Sequence, residues 1–290
     1  MPACRVDASS LARVLELVER GDRRAVSAAA ELGGRLGAEL SLASSLAISG
    51  ARGNAGPFIV VTGIDRSGKE THVFNPEGVA GVTPLVRALE DLGYRTLGVR
   101  QPEYEFWSGQ LIRSYLGLSG ECEIRGELPG SVAWILWSLN RALVNNPVAT
   151  WLSEGSHAAV SKRWSESNLA YHAVQGVDPA RILSVESRFL QPDLFLVLDL
   201  DPEVAVRRMG GSRDAFESRR QLLAAAREVL RNLGRYFPGS EAVLVDASRD
   251  PASVSEDLVS RVREFLRRRW TGGPGGAPRT WRGRTRTAYP

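Results

Sequence analysis

The chain predicts an α/β fold: a parallel sheet of about five strands with helices on both faces, plus a helical N-terminal extension and a disordered basic C-terminal tail. Three observations predict it. From Phe58 onward, short apolar runs alternate with stretches of helical period. The first run passes directly into a glycine-framed loop, Gly63-Ile64-Asp65-Arg66-Ser67-Gly68-Lys69. With 43% of its 290 residues hydrophobic and 24% charged, the chain can bury the core of one substantial domain with appendages.

Residues 1–56 read as a helical extension and linker. Leu11, Val14, Leu15 and Val18 share one helical face, Gly21-Asp22 and Gly33-Gly34 interrupt the pattern, and a Gly/Ala-rich stretch closes it. Nothing in it points to chemistry, and a small appendage, a dimerisation element and sequence ahead of the true start all fit. In residues 57–269, strands are expected at 58–61, 95–99, 157–161, 194–200 and 242–245. Helices are expected at about 82–92, 108–117, 130–145, 167–174, 202–209, 214–235 and 252–269. Parallel strands put their C-terminal ends on one edge, so the loops that follow them share a face. Residues 270–290 are rich in Arg, Gly and Pro, with too little apolar surface to offset the entropy of ordering.

The net charge of +4 invites a nucleic-acid reading, but seven arginines and no acid lie beyond Leu266, so residues 1–266 carry −3. Nucleic acid is therefore not the expected partner of the main domain and is left only as a weak one for the tail, where Trp281 and Tyr289 can stack on bases, although a solvated tail without function is the reading preferred. No apolar run is long enough to span a bilayer, and Arg5, Asp7, Arg13 and Glu16 break up any secretory apolar core. Two cysteines, Cys4 and Cys122, suggest no disulfide framework, so a reducing cytoplasm is the expected compartment.

The loop after the first strand is a phosphate cradle. Backbone N–H groups from Gly63 to Gly68 can point at a triphosphate, the next helix begins there, and Lys69 can reach the β- and γ-phosphates. Only Lys69 and Lys162 are lysines among 37 basic residues, so a compact point charge is retained where the loop ends. The Walker pattern asks next for a Ser or Thr hydroxyl that holds Mg²⁺; this chain has Glu70.

Further motifs follow in order: Arg100-Gln101-Pro102-Glu103-Tyr104, Gly109 to Tyr115, the helix Ala133 to Ala142, Lys162-Arg163-Trp164 with Ser167 to Tyr171, Leu190 to Pro202, and the arginine-rich 206–217. In this order and spacing they resemble the thymidylate kinase (dTMP kinase) family of P-loop nucleoside monophosphate kinases, as a divergent member, over roughly residues 57–266. The resemblance implies a P-loop NTP hydrolase-like sheet, ATP and Mg²⁺ as cofactors, phosphoryl transfer to dTMP giving dTDP and ADP, and a homodimer. It implies that Gly63, Ile64, Asp65, Arg66, Ser67, Gly68, Lys69 and Glu70 bind ATP. Asp65 would also hold the acceptor's 3′-hydroxyl, Trp137 would stack on the base, Arg141 would read the thymine carbonyl, and Tyr171 would add a second ring. Lys69, Arg66, Arg163 and Arg213 would act on the transferring phosphates, with Arg207, Arg208 and Arg213 in a mobile lid.

Three departures from the family pattern stand out. Glu70 replaces the metal-holding hydroxyl, Lys162-Arg163 replaces an Asp-Arg pair, and Tyr104 stands where an arginine often binds the acceptor phosphate. An insertion at Asn75-Pro76-Glu77-Gly78 is expected to shorten or kink the helix behind the cradle. The first two departures exchange charge across one site, which predicts a buried Glu70–Lys162 ion pair where the metal shell normally sits; Glu70 can alternatively ligate Mg²⁺ through oxygen. No other metal ligand is expected, since His72, His157 and His172 lack ligand spacing. A catalytically defective nucleotide-binding paralogue and a kinase for another nucleoside monophosphate stay open at this point.

Overall fold

The computed structural model describes residues 3–50, 56–209 and 213–270, the side chains of 213–217 excepted. The tail expected to be disordered lies outside the described residues beyond Trp270.

A short strand β1 (Cys4–Asp7) leads into helices α1 (Ala8–Glu19), α2 (Arg24–Ala30) and α3 (Gly34–Ser49), broken at the two glycine sites expected. The cradle unit is β2 (Phe58–Gly63) and α4 (Lys69–Val73), followed by α5 (Leu85–Asp91) and β3 (Arg95–Arg100). Next come α6 (Trp107–Tyr115), β4 (Cys122–Arg125), α7 (Gly130–Ala133), α8 (Ile135–Leu152) and β5 (His157–Lys162). The chain continues with α9 (Ser165–Ala173), α10 (Pro179–Glu186), β6 (Leu194–Asp199), α11 (Pro202–Met209), α12 (Arg213–Arg231), α13 (Leu233–Tyr236), β7 (Glu241–Asp246) and α14 (Pro251–Arg269).

All five expected strands form one parallel sheet in the order β3-β5-β2-β6-β7. Every residue of the central strand β2 is buried. Successive residues of a strand point to opposite faces, so both faces of the sheet centre are covered. The cradle therefore grows from the most constrained strand of the molecule.

Two findings differ from expectation. First, β1 pairs in parallel with β4, bringing the Cα atoms of Cys4 and Cys122 to 4.6 Å, and the two residues form a disulfide. The expectation of no disulfide is corrected; a count of two cysteines cannot register a pairing across 118 residues of sequence. With it goes the cysteine argument for a reducing compartment. Among the described residues no helix is long and apolar enough to cross a membrane.

Second, the N-terminal helices join the same hydrophobic core as the sheet, with Leu11, Val14, Leu15, Val18 and Leu40 fully buried. The Glu39 carboxylate on α3 accepts the N–H groups of Trp107 (2.9 Å) and Ser108 (2.8 Å) and so satisfies the first turn of α6. Arg181 of α10 is bound through Nε to Glu19 of α1 at 2.6 Å.

Candidate functional site

The cradle turns on backbone that side chains resist. Gly63 and Gly68 have φ of 143° and 92°, and a Cβ on Gly63 would lie 2.6 Å from both the Leu198 carbonyl and Ser67 Oγ. Arg66 adopts a positive φ of 62° in the same loop. Lys69 closes the loop from inside, its Nζ donating to the carbonyls of Ile64 (2.6 Å) and Gly63 (3.0 Å) and to Ser67 Oγ (3.3 Å). Burial, with Arg163 nearby, pulls the Lys69 ammonium well below the usual lysine range. As expected, α4 is short, five residues; Asn75 ends it at a positive φ of 48°, and its side chain ties the inserted loop through bonds to Val79 and Val82.

Glu70 and Lys162 do pair, with Nζ 2.5 Å from Oε2. The other carboxylate oxygen accepts from Arg100 Nε at 2.9 Å. Strand register explains the trio, because Arg100 and Lys162 are cross-strand partners ending β3 and β5. Like charges side by side repel, and the carboxylate between them offsets that. Burial works against the Glu70 charge, but hydrogen bonds from Lys162 and Arg100 hold its pKa below the usual carboxylate range. The pair is not buried as expected: the Glu70 and Lys162 side chains are 37% and 25% exposed.

A cavity of about 560 Å³ lies over the cradle, lined by Lys69, Glu70, Lys162, Arg163 and Arg208 among others. A second, of about 360 Å³, lies between α6, α8 and α9, lined by Tyr104, Tyr115, Trp137, Arg141, Asn168 and Tyr171 among others. Asp65 and Arg163 line both. They are hydrogen-bonded to each other, Arg163 Nη1 donates to Ser167 Oγ at 3.2 Å, and the Asp65 N–H donates to Tyr171 Oη at 3.0 Å. Burial pushes the Asp65 carboxyl up, but Arg163 and Lys69 outweigh it and leave it lowered. The arrangement presents cations to a polyanion on one side, an aromatic slot on the other, and a charged pair at the junction.

The family model for thymidylate kinase matches residues 61–258. The chain belongs to the thymidylate kinase family. It is 30% identical over 215 residues to a probable thymidylate kinase of Pyrococcus horikoshii, covering 73% of this chain and 98% of the relative. A probable thymidylate kinase of Thermococcus gammatolerans is 26% identical with the same coverage. The thymidylate kinase of Arabidopsis thaliana is 31% identical over 162 residues, 56% of each chain. The family in general uses ATP and Mg²⁺.

In this thymidylate kinase family member, the expected residues fall into two groups. Asp65, Arg66, Ser67, Gly68, Lys69 and Glu70 line the cradle cavity together with Arg163, while Trp137, Arg141 and Tyr171 line the second. Gly63 and Ile64 enter through their carbonyls, which hold Lys69. Arg208 reaches the cradle and donates to the Arg66 carbonyl at 2.9 Å. Arg207 instead faces Glu203 at 3.8 Å. Arg213 begins α12, and its side chain lies outside the described residues. Among the described residues no group of three or more His, Cys, Asp or Glu is placed to hold a metal.

Three residues were given no role by sequence reasoning, although Arg100 and Asn168 stand in its motifs. Arg100 ends β3 level with Lys162, and strand register was the signal that could have found it. Glu186 on α10 is fully buried, and its Oε1 accepts from Arg141 (2.9 Å), Ser138 (2.7 Å) and Asn168 (2.6 Å). Asn168 lines the second cavity beside Arg141, and its Oδ1 has no partner, nor has Arg141 Nε.

Proposed function

We propose that the protein transfers the γ-phosphoryl group of ATP to dTMP, giving dTDP and ADP. The observation that carries this reading is that the cradle cavity and the aromatic cavity meet at Asp65 and Arg163. A phosphate oxygen of dTMP forms the new P–O bond to Pγ, the bond from Pγ to the β,γ-bridging oxygen breaks, and ADP leaves with that electron pair. Such a transfer asks the protein for alignment and for cations around spreading negative charge. Lys69 turns from the Gly63 and Ile64 carbonyls to the β- and γ-phosphates, Arg66 and Arg163 flank the transferring group, and Arg213 is given the same role by the family resemblance.

On the acceptor side, Trp137 stacks on the base, Tyr171 packs the nucleoside, and Asp65 takes the 3′-hydroxyl. Arg141 and Asn168 both line this cavity, and Arg141 takes the thymine carbonyl. A guanidinium donates to a carbonyl, which the thymine edge presents where cytosine carries an amino group. The Glu186 carboxylate fixes both side chains from behind. The assembly carried with this reading is a homodimer.

The test is ADP release from the full chain with ATP, Mg²⁺ and dTMP, beside dUMP, dCMP, dGMP and dAMP, with Lys69→Ala as control. Turnover with dTMP that is lost in the control supports the assignment. Folded protein that turns over no monophosphate overturns it.

A further inference from the structure

The metal shell expected from family membership does not fit this site. The hydroxyl that would hold Mg²⁺ is replaced by Glu70, and each Glu70 oxygen already faces a cation, Lys162 Nζ at 2.5 Å and Arg100 Nε at 2.9 Å. The second position that would carry a carboxylate is Lys162 itself, whose ammonium repels a divalent cation. Mg²⁺ requires near-octahedral oxygen ligands and resists giving up water, and a lysine in the shell supplies none.

We infer that this chain has replaced the protein-held divalent cation at its phosphate cradle with a built-in cation, Lys162, positioned by Glu70 and backed by Arg100, so that it binds nucleoside triphosphate without a metal. The inference rests on the cradle being the triphosphate site of the function proposed above. Lys162 lines the cradle cavity beside Lys69 and Arg163. Its carboxylate partner sits on the first turn of α4 and leads it toward the loop; the ammonium has three donors, so bonding Glu70 leaves others for a phosphate oxygen. Arg100 is also held by its guanidinium lying over Phe74, with 3.6 Å from Cζ to the ring centroid. One negative and two positive side chains leave a single net positive charge at this edge, delivered by groups that need no ion from solution. Lys162 is thus assigned as a phosphate-binding residue and Glu70 as its positioning residue.

The experiment is calorimetric titration of the full chain with β,γ-imido-ATP, once in Mg²⁺ and once in EDTA. The wild-type Kd is expected to agree within about threefold between the two buffers, and Lys162→Met is expected to weaken binding in EDTA by about tenfold. The double variant Glu70→Thr/Lys162→Asp, which recreates the family's metal-holding pair, is expected to bind about tenfold more weakly in EDTA than in Mg²⁺. A merely structural Glu70–Lys162 pair would leave the affinity in EDTA unchanged in Lys162→Met. Wild-type binding that is lost with EDTA overturns the inference while leaving the proposed function standing, as does Lys162→Met binding as tightly as wild type in EDTA. Absence of binding in both buffers removes the donor site of the proposed function and this inference with it.

Discussion

Arg141, which lines the second cavity, and Glu186 behind it pair at 2.9 Å with side-chain exposures of 2% and 0%. Arg141 also donates to the Trp164 carbonyl at 2.7 Å, so its guanidinium is held on two sides. A buried charge stripped of its partner is expensive. Glu186→Ala is expected to lower unfolding stability by about 3–5 kcal/mol. Glu186→Gln should cost less and retain some bonds, yet raise KM for dTMP more than it lowers kcat, because it loosens base reading and leaves the phosphates alone. Denaturant unfolding and steady-state kinetics check the two halves. A Glu186→Ala loss under 1 kcal/mol would contradict the first.

Glu70→Ala is expected to behave differently, although it too breaks an ion pair. Its partners are half-exposed, so water screens what is left, and the stability change should stay within about 1 kcal/mol. Equilibrium unfolding of this variant measures it. A drop of several kcal/mol would mean that the Arg100–Glu70–Lys162 trio is a structural keystone.

His72 and His172 are buried, and burial lowers each from 6.5 to about 4. Both histidines are neutral in the folded protein at pH 5, while the unfolded chain binds protons there. Stability should therefore be full above pH 6.5 and fall between 6.5 and 4 by about 1.4 kcal/mol per pH unit for each histidine. Unfolding midpoints at pH 7 and pH 5 provide the check. His172→Asn should remove about half of the slope, and stability that is flat across this range would show that the unfolded chain gains no protons over the folded one.

Glu39 satisfies the amides that open α6, and α6 ends at Tyr115 in the acceptor cavity. Glu39→Ala is expected to cost about 1–2 kcal/mol and to raise KM for dTMP with kcat nearly unchanged. The same reasoning predicts that removing residues 1–50 gives insoluble or unfolded protein, since Leu11, Leu15 and Leu40 would leave their apolar contacts exposed. Expression and circular dichroism of the truncated chain test it.

What sequence reasoning could see was whatever repeats or signals over short distances. The five sheet strands were legible because each is a local apolar run, and the cradle because Gly63, Gly68 and Lys69 fall within seven residues. The Glu70–Lys162 pair was legible from two substitutions with opposite charge, but its half-exposed setting was not. The four-residue strands β1 and β4 show no period of their own and pair across more than a hundred residues. Glu186, Glu39 and Asn168 were hidden for the same reason: each acts through atoms that only tertiary packing brings near, and their types alone are common on any surface.

The bond between Cys4 and Cys122 closes a covalent ring that contains the extension, the cradle and β3, while the helix carrying Trp137 and Arg141 lies outside it. Any single backbone cut between the two cysteines leaves both fragments attached. Nicked protein would migrate as one species until a reductant is added, and would then separate into two.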